Sequence, residues 1–309
     1  MLQRYKVGHG RANGTFGELL QGMLPNKRSF MVTFPTNLFS YVTFYPEPNS
    51  SEIIVHPVAK NKSARMAKNI LEYFKINTGG ILNITSDIPE GKGLASSSAD
   101  LVAVAHAISD AYNLEISFEL VAKFIAAIEP SDGVMYSGSV AFYYKEVELK
   151  ECIAQLPPIT MVAVDEGNII NTVDYNSIKK HYSFSCTLQY QAMLDLMSQA
   201  LRDKDLATIG KIATEGAIMN QQYNHKEFLA KMIDVCHEAG GLGVSIAHSG
   251  TFMGILLDPT ASNYRFQKIF CCTEIKQYGK IPQIFNSLVH EHVAEYCNTL
   301  DKLTLEKLC

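Results

Sequence analysis

The 309-residue chain lacks the sequence features that would place it in a membrane or on nucleic acid. No apolar run approaches the ~20 residues that a transmembrane helix needs, and residues 1–14 contain no apolar segment of the kind found in signal peptides. The basic residues form no tract longer than a few positions, and the formal net charge is −4. We therefore expect a soluble cytoplasmic protein with neither a membrane nor a nucleic-acid partner.

Cysteine is also used in a way that argues against a disulfide framework. The chain has 7 cysteines, an odd number, and no pair shows the CxxC spacing of redox or zinc motifs. Reduced thiols in an intracellular protein explain this pattern best. At 47% hydrophobic and 19% charged residues, the composition is that of an ordinary globular protein with a large core.

The order of hydrophobic patterns predicts an α+β protein with two domains. The strand-rich region 5–58 is followed by a helix over 61–75, a strand over 79–89 and helices over about 96–112 and 117–128. A strand over 138–149 ends this unit. A second unit starts near 159 and alternates strands with helices at about 189–202, 205–220, 225–238 and 261–271, before a last strand and helix. We expect domains at 1–155 and 156–309, divided near Pro157 and Pro158.

A flexible, hydroxyl-rich loop at 88–98 (IPEGKGLASSS) stands directly before an apolar helix. A helix N-terminus carries unpaired backbone N–H groups and partial positive charge, and glycine lets an anion approach the backbone closely. Gly91 and Gly93 provide that freedom, Lys92 adds a charge, and the serines offer caps or a ligand oxygen for Mg²⁺. The loop is neither a Walker loop nor a GxGxxG fingerprint. A capped helix without a ligand would show the same local pattern.

The loop resembles the central phosphate-binding motif of the GHMP kinases, the superfamily of galactokinase, homoserine kinase, mevalonate kinase and phosphomevalonate kinase. The matching residues are Pro89, Gly93, Leu94, Ser96 and Ser97, with Ser98 where alanine is more usual. Segment 12–22 (ANGTFGELLQG) is similar to the first motif of the family, beside the acceptor. Segment 240–257 (GGLGVSIAHSGTFMGILL) is similar to the third motif, beside the nucleotide phosphates. The three motifs occur in the order of the family.

Within the superfamily, FGELLQG, GLASSSAD, EPSDG and GVSIAHSGTFMGILLD most resemble the L-threonine kinase branch, which is linked to propanediol utilisation and cobalamin synthesis. Phe16 stands where that branch often carries cysteine. The resemblance implies an S5-like N-terminal domain, a ferredoxin-like C-terminal domain, and ATP and Mg²⁺ as requirements. It also implies a small-molecule acceptor, L-threonine first. A homodimer is one option for the assembly.

The resemblance also implies roles for individual residues. The nucleotide would contact Pro89, Gly91, Lys92, Gly93, Leu94, Ala95, Ser96, Ser97, Ser98, Ser249 and Gly250. Ser97 and Glu129 are the Mg²⁺ candidates, although Ser97 could instead cap the helix. Lys92 and Asp132 are the catalytic candidates, with Asp132 as the base. In related kinases the two carboxylates are further apart in sequence, so the match at Glu129 and Asp132 is imperfect. The alternative is that Asp132 caps a turn, as aspartate often does.

The acceptor side of the predicted site includes Gly17, Glu18, Gln21 and His248. Glu18 and Gln21 suit an ammonium group and a hydroxyl, or they lie on the surface without a ligand. His248 contacts the ligand or donates to a loop carbonyl. Two alternatives remain for the whole chain: a kinase of homoserine or another small hydroxy acid, and a nucleotide-binding regulatory protein that has lost catalysis. The presence of Ser97, Glu129 and Asp132 argues against the second.

Overall fold

The computed structural model describes residues 6–167, 180–248 and 250–289. Its strands are β1 (Gly8–Met23), β2 (Ser29–Glu47), β3 (Ile53–His56), β4 (Gly79–Ser86), β5 (Ser139–Tyr143), β6 (Glu148–Ala154), β7 (Thr160–Asp165), β8 (Gly243–Ile246), β9 (Phe252–Leu257) and β10 (Gln283–Asn286). Its helices are α1 (Asn61–Tyr73), α2 (Ser96–Tyr112), α3 (Phe118–Ala126), α4 (Phe184–Asp203), α5 (Leu206–Asn220), α6 (Leu229–Ala239) and α7 (Tyr264–Gln277).

One mixed sheet connects the two halves of the chain. The strand order is β10-β7-β9-β8-β1-β2-β4-β3, and β5 and β6 extend from β2. The β3–β4 pair is parallel, whereas β1 pairs with β2 and with β8 in antiparallel fashion. The β1–β8 contact is a single register pair, Glu18 with Ile246. The first sequence motif therefore lies where the halves meet.

The C-terminal half has the connectivity that the family resemblance implies. After β7 the chain forms α4 to α6, then the β8–β9 hairpin, then α7 and β10. The spatial order β10-β7-β9-β8 is fully antiparallel. If these strands are numbered one to four along the chain, the order is 4-1-3-2, that of a ferredoxin-like sheet. The expected α+β fold class is confirmed.

Helix α2 is the buried centre of the N-terminal half. Of its 17 residues, 13 are buried, including Leu101, Val102, Val104 and Ile108. One side of α2 packs on β1 and β2, and α1 and α3 cover other parts of it. Burying each side chain of this size contributes roughly 1.5–3 kcal/mol. The helix that follows the loop at 88–98 is therefore fixed in the core, as its apolar sequence predicts.

Several predicted boundaries differ from the observed ones. Helix α4 begins at Phe184, before the predicted 189, because Ser183 accepts a hydrogen bond from the Cys186 N–H at 3.2 Å and caps it. The predicted strand at 138–149 is two strands, since the chain turns between β5 and β6. The predicted last helix lies outside the described residues. The domain boundary near 155 stays a prediction. In the described ranges, no helix is long and apolar enough to cross a membrane.

Candidate active site

Three segments that are far apart in the sequence meet at one place in the fold. The Thr15 N–H donates to the Leu94 carbonyl at 3.2 Å, which joins segment 12–22 to the loop at 88–98. The Ser245 hydroxyl donates to the Glu18 carbonyl at 2.8 Å, which joins segment 12–22 to segment 240–257. The positive φ of Gly17 (48°) also brings its backbone against Ile246. All three predicted motifs therefore belong to one site.

The loop at 88–98 and the turn of segment 240–257 touch each other through backbone atoms. A Cβ atom at Gly250 would lie 1.8 Å from the Lys92 carbonyl oxygen, and one at Gly93 would lie 2.6 Å from the Gly250 nitrogen. Gly93 also has a φ of 77°, which other residues rarely adopt. Glycine is therefore required at both positions for the two loops to pack this closely.

The N-terminus of α2 presents unsatisfied polar groups. Its N-cap residue, Ala95, has a φ of 60° and provides no side-chain cap. Ser96 is buried, and its hydroxyl has no hydrogen-bond partner among the described residues. Backbone N–H groups without partners, a positive helix end and a spare hydroxyl together suit an anion. This arrangement favours the anion interpretation of the loop over a helix capped without a ligand.

Ser97 does not cap α2. Its side chain is exposed, and its hydroxyl donates instead to Glu129 Oε1. The other carboxylate oxygen of Glu129 accepts from the Lys62 ammonium group. A hydroxyl and a carboxylate are oxygen donors of the type that Mg²⁺ prefers, and Mg²⁺ commonly takes one or two protein oxygens plus substrate phosphates. The contact between Ser97 and Glu129 fits such an incomplete cation site.

Asp132 lies beside the first turn of α2, behind Ser97. The Ser98 hydroxyl donates to Asp132 Oδ2 at 3.4 Å. The same hydroxyl oxygen accepts from the Asp132 N–H at 3.3 Å and from the Ser131 hydroxyl at 2.7 Å. Burial raises the pKa of Asp132 from 3.8 to about 6, and the negative charge of Glu129 adds to this increase. A carboxylate that titrates close to neutral pH suits proton transfer.

Lys92 pairs with a residue that the sequence motifs do not include. Its ammonium group lies 2.7 Å from Asp165 Oδ2 at the end of β7. Asp165 also accepts from the Thr251 hydroxyl, which lies just beyond the glycine turn. Burial alone would raise the pKa of Asp165, but the bonds from Lys92 and Thr251 outweigh it and lower the pKa. Asp165 therefore connects the second and third motifs.

A pocket of about 230 Å³ opens beside the loop at 88–98. It lies between the N-terminal ends of α1 and α2, and its lining includes Lys60, Lys62, Gly91, Ser96 and Ser97. Lys60 is held by Asp100 in α2 and by Glu90, the latter at 2.6 Å. The pocket therefore combines two helix N-termini and two lysines, which suit phosphate groups, with two carboxylates, Glu90 and Asp100, that pair with Lys60.

Glu18 and Gln21 are buried, with 4% of each residue exposed, so the alternative of a surface position is wrong. Glu18 Oε2 and Gln21 Nε2 have no hydrogen-bond partner among the described residues. Burial first, and then the charge of Asp132, raise the pKa of Glu18 well above its ordinary value, despite a hydrogen bond from the His248 backbone and the charge of Lys180. Two buried polar atoms without a protein partner in one cluster are available to bind a polar ligand.

His248 is a neutral member of the same cluster. Its Nδ1 lies 2.6 Å from Gln21 Oε1, and its ring packs edge-on against Tyr144 at a centroid distance of 4.4 Å. Burial first, and then the charges of Lys180 and Lys145, lower the pKa of His248 well below 6.5. The neutral ring therefore donates from Nδ1 to Gln21. Its backbone carbonyl accepts from Asn224 Nδ2 at 3.2 Å. A contact of the His248 side chain with the ligand stays a prediction, as does donation to a loop carbonyl.

The structure brings most of the sequence candidates together and adds residues that the sequence does not reveal. Pro89, Leu94 and Ala95 shape the loop, and Ser249 lies outside the described residues. Tyr144, Asp165 and Lys180 were missed because none lies in a motif or in a local pattern. Burial lowers the pKa of Lys180 to about 8, with Lys145 adding to the effect and Glu18 opposing it.

Two protein-family models match the chain. The N-terminal domain model of the GHMP kinases matches residues 61–145, which include the loop at 88–98, Glu129 and Asp132. The C-terminal GHMP kinase model matches residues 197–273, which include the third motif. The two matches together span just over half of the chain.

Relatives with curated names match over most of the chain. An L-threonine kinase from Salmonella typhimurium is 26% identical over 266 residues, which is 83% of this chain and 85% of that protein. An L-threonine kinase from Citrobacter freundii is 24% identical over 245 residues, or 78% of this chain and 83% of that protein. A homoserine kinase from Methanococcus maripaludis is 36% identical over 76 residues, a quarter of either chain.

Solved structures with the same fold come from several kinases. A homoserine kinase from Cytophaga hutchinsonii superposes with a TM-score of 0.72 at 15% identity, covering 94% of this chain and 96% of that one. The L. major mevalonate kinase, solved in complex with R-mevalonate, has a TM-score of 0.66 at 16% identity and covers 94% and 98% of the two chains. At these identities the likeness establishes the fold.

We expect Asp132→Asn to change how stability depends on pH. The folded-state pKa of Asp132 is raised to about 6, so ionisation of this carboxyl opposes folding. The contribution of the protonated carboxyl to the free energy of unfolding is fully present below pH 4 and is lost as pH rises through 6. Relative to wild type, the asparagine variant should therefore gain about 1 to 3 kcal/mol of unfolding free energy between pH 4 and pH 7. Urea denaturation at both values measures this, and a pH-independent difference would contradict the raised pKa.

Proposed function

Because the chain belongs to the GHMP kinase superfamily, we propose that it transfers the γ-phosphoryl group of ATP to the hydroxyl of a small amino acid, L-threonine first. The products are ADP and O-phospho-L-threonine. The observation that carries the choice of an amino acid is the buried Glu18, whose Oε2 has no partner among the described residues. The similarity to L-threonine kinases over most of the chain supports this acceptor.

The nucleotide phosphates would bind at the N-terminus of α2. The unpartnered Ser96 hydroxyl, the uncapped helix end and Lys92 provide donors and positive charge there. The glycine turn at Gly250 closes the same site from the other motif. Phosphoryl transfer needs positioning and charge neutralisation more than covalent chemistry, and this loop supplies both.

Ser97 and Glu129 would hold Mg²⁺, because their oxygens already meet at the edge of the phosphate site. When it is bound, this cation supplies charge neutralisation to the phosphates. Among the described residues, no group of three or more His, Cys, Asp or Glu side chains is placed to hold a metal ion. A two-residue site that depends on nucleotide oxygens for its other ligands agrees with both observations.

The acceptor would occupy the cluster around Glu18. A free amino acid carries an ammonium and a carboxylate group, so it needs an anionic partner and a cationic one in a buried site. Glu18 would be the anionic partner once the ammonium group is bound, because a neighbouring cation offsets the burial that raises the pKa of Glu18. Lys180 acts electrostatically on Glu18 and on His248, which makes it the cationic candidate for the carboxylate. The unpartnered Gln21 Nε2 is then available to donate to an acceptor oxygen.

Asp132 would accept the proton of the acceptor hydroxyl. The charge of Asp132 acts on Glu18, and the charge of Glu129 acts on Asp132. We therefore assign Asp132 to the region between the acceptor side and the cation side of the proposed site. Its pKa of about 6 keeps it mostly ionised at neutral pH but close enough to titrate. As the resemblance to the L-threonine kinase branch implies, the product would then serve cobalamin side-chain synthesis in the cytoplasm.

A panel assay tests the proposed acceptor directly. ADP release from ATP and Mg²⁺ should be strongest with L-threonine and weak with mevalonate and galactose, because only amino acids satisfy Glu18 and Lys180 together. L-Serine and L-homoserine carry the same ammonium and carboxylate groups, so their turnover measures which side chain the site prefers. L-Homoserine is the second candidate, since a 76-residue segment of the chain is 36% identical to a homoserine kinase. Preferred turnover of mevalonate or galactose would overturn the amino-acid assignment. ATP binding without any turnover would support the regulatory alternative.

Glu18→Gln should weaken binding of the acceptor and leave binding of the nucleotide nearly unchanged. The substitution keeps the shape of the side chain but removes the charge that we assign to the ammonium group. We expect the KM for L-threonine to rise about tenfold or more, with the KM for ATP within about twofold. Glu238→Gln, an exposed position on α6, is the matched control and should change neither. Equal effects on both substrates would place Glu18 outside the acceptor site.

Ser97→Ala should weaken cation binding. The variant loses one of the two protein oxygens that we assign to Mg²⁺, while the exposed position leaves the core intact. In the presence of ATP, Mn²⁺ affinity measured by electron paramagnetic resonance should fall about tenfold, and kcat should fall with it. Ser137→Ala, at another exposed serine, serves as the control. Unchanged Mn²⁺ affinity would remove Ser97 from the site.

A further inference from the structure

The connection between α5 and α6 holds both sides of the third-motif turn. The Lys226 ammonium group donates to the Gly250 carbonyl, and Asn224 Nδ2 donates to the His248 carbonyl at 3.2 Å. Neither Asn224 nor Lys226 belongs to any of the three motifs, and both are buried. Two side chains from one short connection therefore fix the turn that approaches the anion-binding loop.

Lys226 is itself held in place by a neighbour. The side-chain amide of Gln221 accepts from the Lys226 N–H at 2.7 Å and donates to the Lys226 carbonyl at 3.0 Å. Both backbone groups of Lys226 are thus bound to one side chain. The stem of the lysine has little freedom to turn away from Gly250. The hydrogen bonds from Gln221 to Lys226 and from Lys226 to Gly250 therefore form a buried, ordered series.

The burial of Lys226 is unfavourable in itself. Only 2% of the residue is exposed, and among the described residues its ammonium group bonds a carbonyl rather than a carboxylate. The charges of Glu166 and Asp165 act on it, but burial outweighs them and lowers the pKa of Lys226. A buried charge without a bonded counter-ion is costly, and an apolar residue would fill this space at lower cost. Packing alone therefore does not explain why a lysine occupies position 226.

The anion-binding loop provides that reason. Gly250, whose carbonyl Lys226 holds, packs against the Lys92 carbonyl and against Gly93, as the close Cβ approaches show. A positive charge directly behind this turn attracts an anion bound in front of it, and in a site shielded from water the attraction is stronger than at the surface. A fixed Gly250 carbonyl also fixes the orientation of the adjoining peptide groups.

We propose that Lys226, supported by Asn224, is a positioning residue for the nucleotide: it orients the Gly250 turn and places a positive charge behind the phosphate site. This inference rests on the proposed function, in which the third motif approaches the ATP phosphates. It assigns Lys226 to the nucleotide and not to the acceptor. A role in folding alone would lower stability without separating the two substrates.

Nucleotide titrations of Lys226→Met test the proposal. We expect the affinity for ATP, measured by isothermal titration calorimetry, to fall about tenfold. The KM for L-threonine, measured in a kinetic assay, should stay within about twofold of the wild-type value. Lys231→Met is the matched control, because Lys231 is an exposed lysine on the next helix that pairs with Asp234 and touches no motif. It should bind ATP like the wild type. Unchanged ATP affinity in folded Lys226→Met would overturn the proposal.

Two further variants keep the test decisive if Lys226→Met does not fold. Lys226→Gln retains a hydrogen-bond donor and removes the charge, and Asn224→Ala removes the second bond to the turn. Both should weaken ATP binding selectively, and a folded pair with wild-type affinity would refute the role of Lys226. If wild-type protein itself binds no ATP, the proposed function fails as well, which separates that outcome from a failure of Lys226 alone.

Discussion

The contact between two glycine loops is the constraint on which the rest of the site depends. The Lys92 carbonyl lies so close to Gly250 that any side chain there would overlap it. This contact places the N-terminus of α2, which the core of the first half holds, against a turn from the second half. Because the same two loops also approach segment 12–22, a shift in either would separate the anion site from the buried cluster around Glu18.

The site is assembled from charged groups in unfavourable surroundings. Glu18 and Asp132 have raised pKa values, and Lys180 and Lys226 have lowered ones, in each case chiefly through burial. A stable fold without a ligand would not need these buried charges. Perturbed pKa values of this kind are the pattern expected where a charged substrate completes the electrostatics.

Much of the fold and the site could be predicted from the sequence because the relevant signals are local. The apolar circumference of α2 and the glycines before it can each be recognised within a short segment, and so can each of the three motifs. Lys226 and Asp165 could not be predicted, because each meets its motif only through tertiary packing. The serine caps were predicted wrongly: Ala95 takes the N-cap position in a left-handed conformation, which leaves Ser97 and Ser98 to bond Glu129 and the Asp132 region instead.

The most direct test of the account is a crystal structure with Mg²⁺, a non-hydrolysable ATP analogue and L-threonine. The account predicts phosphates bound between the N-terminus of α2 and the Gly250 turn, with the ammonium group of threonine at Glu18 and its hydroxyl near Asp132. Phosphates bound away from both loops, or a threonine that leaves Glu18 without a partner, would contradict the claim that the three motifs form one phosphoryl-transfer site.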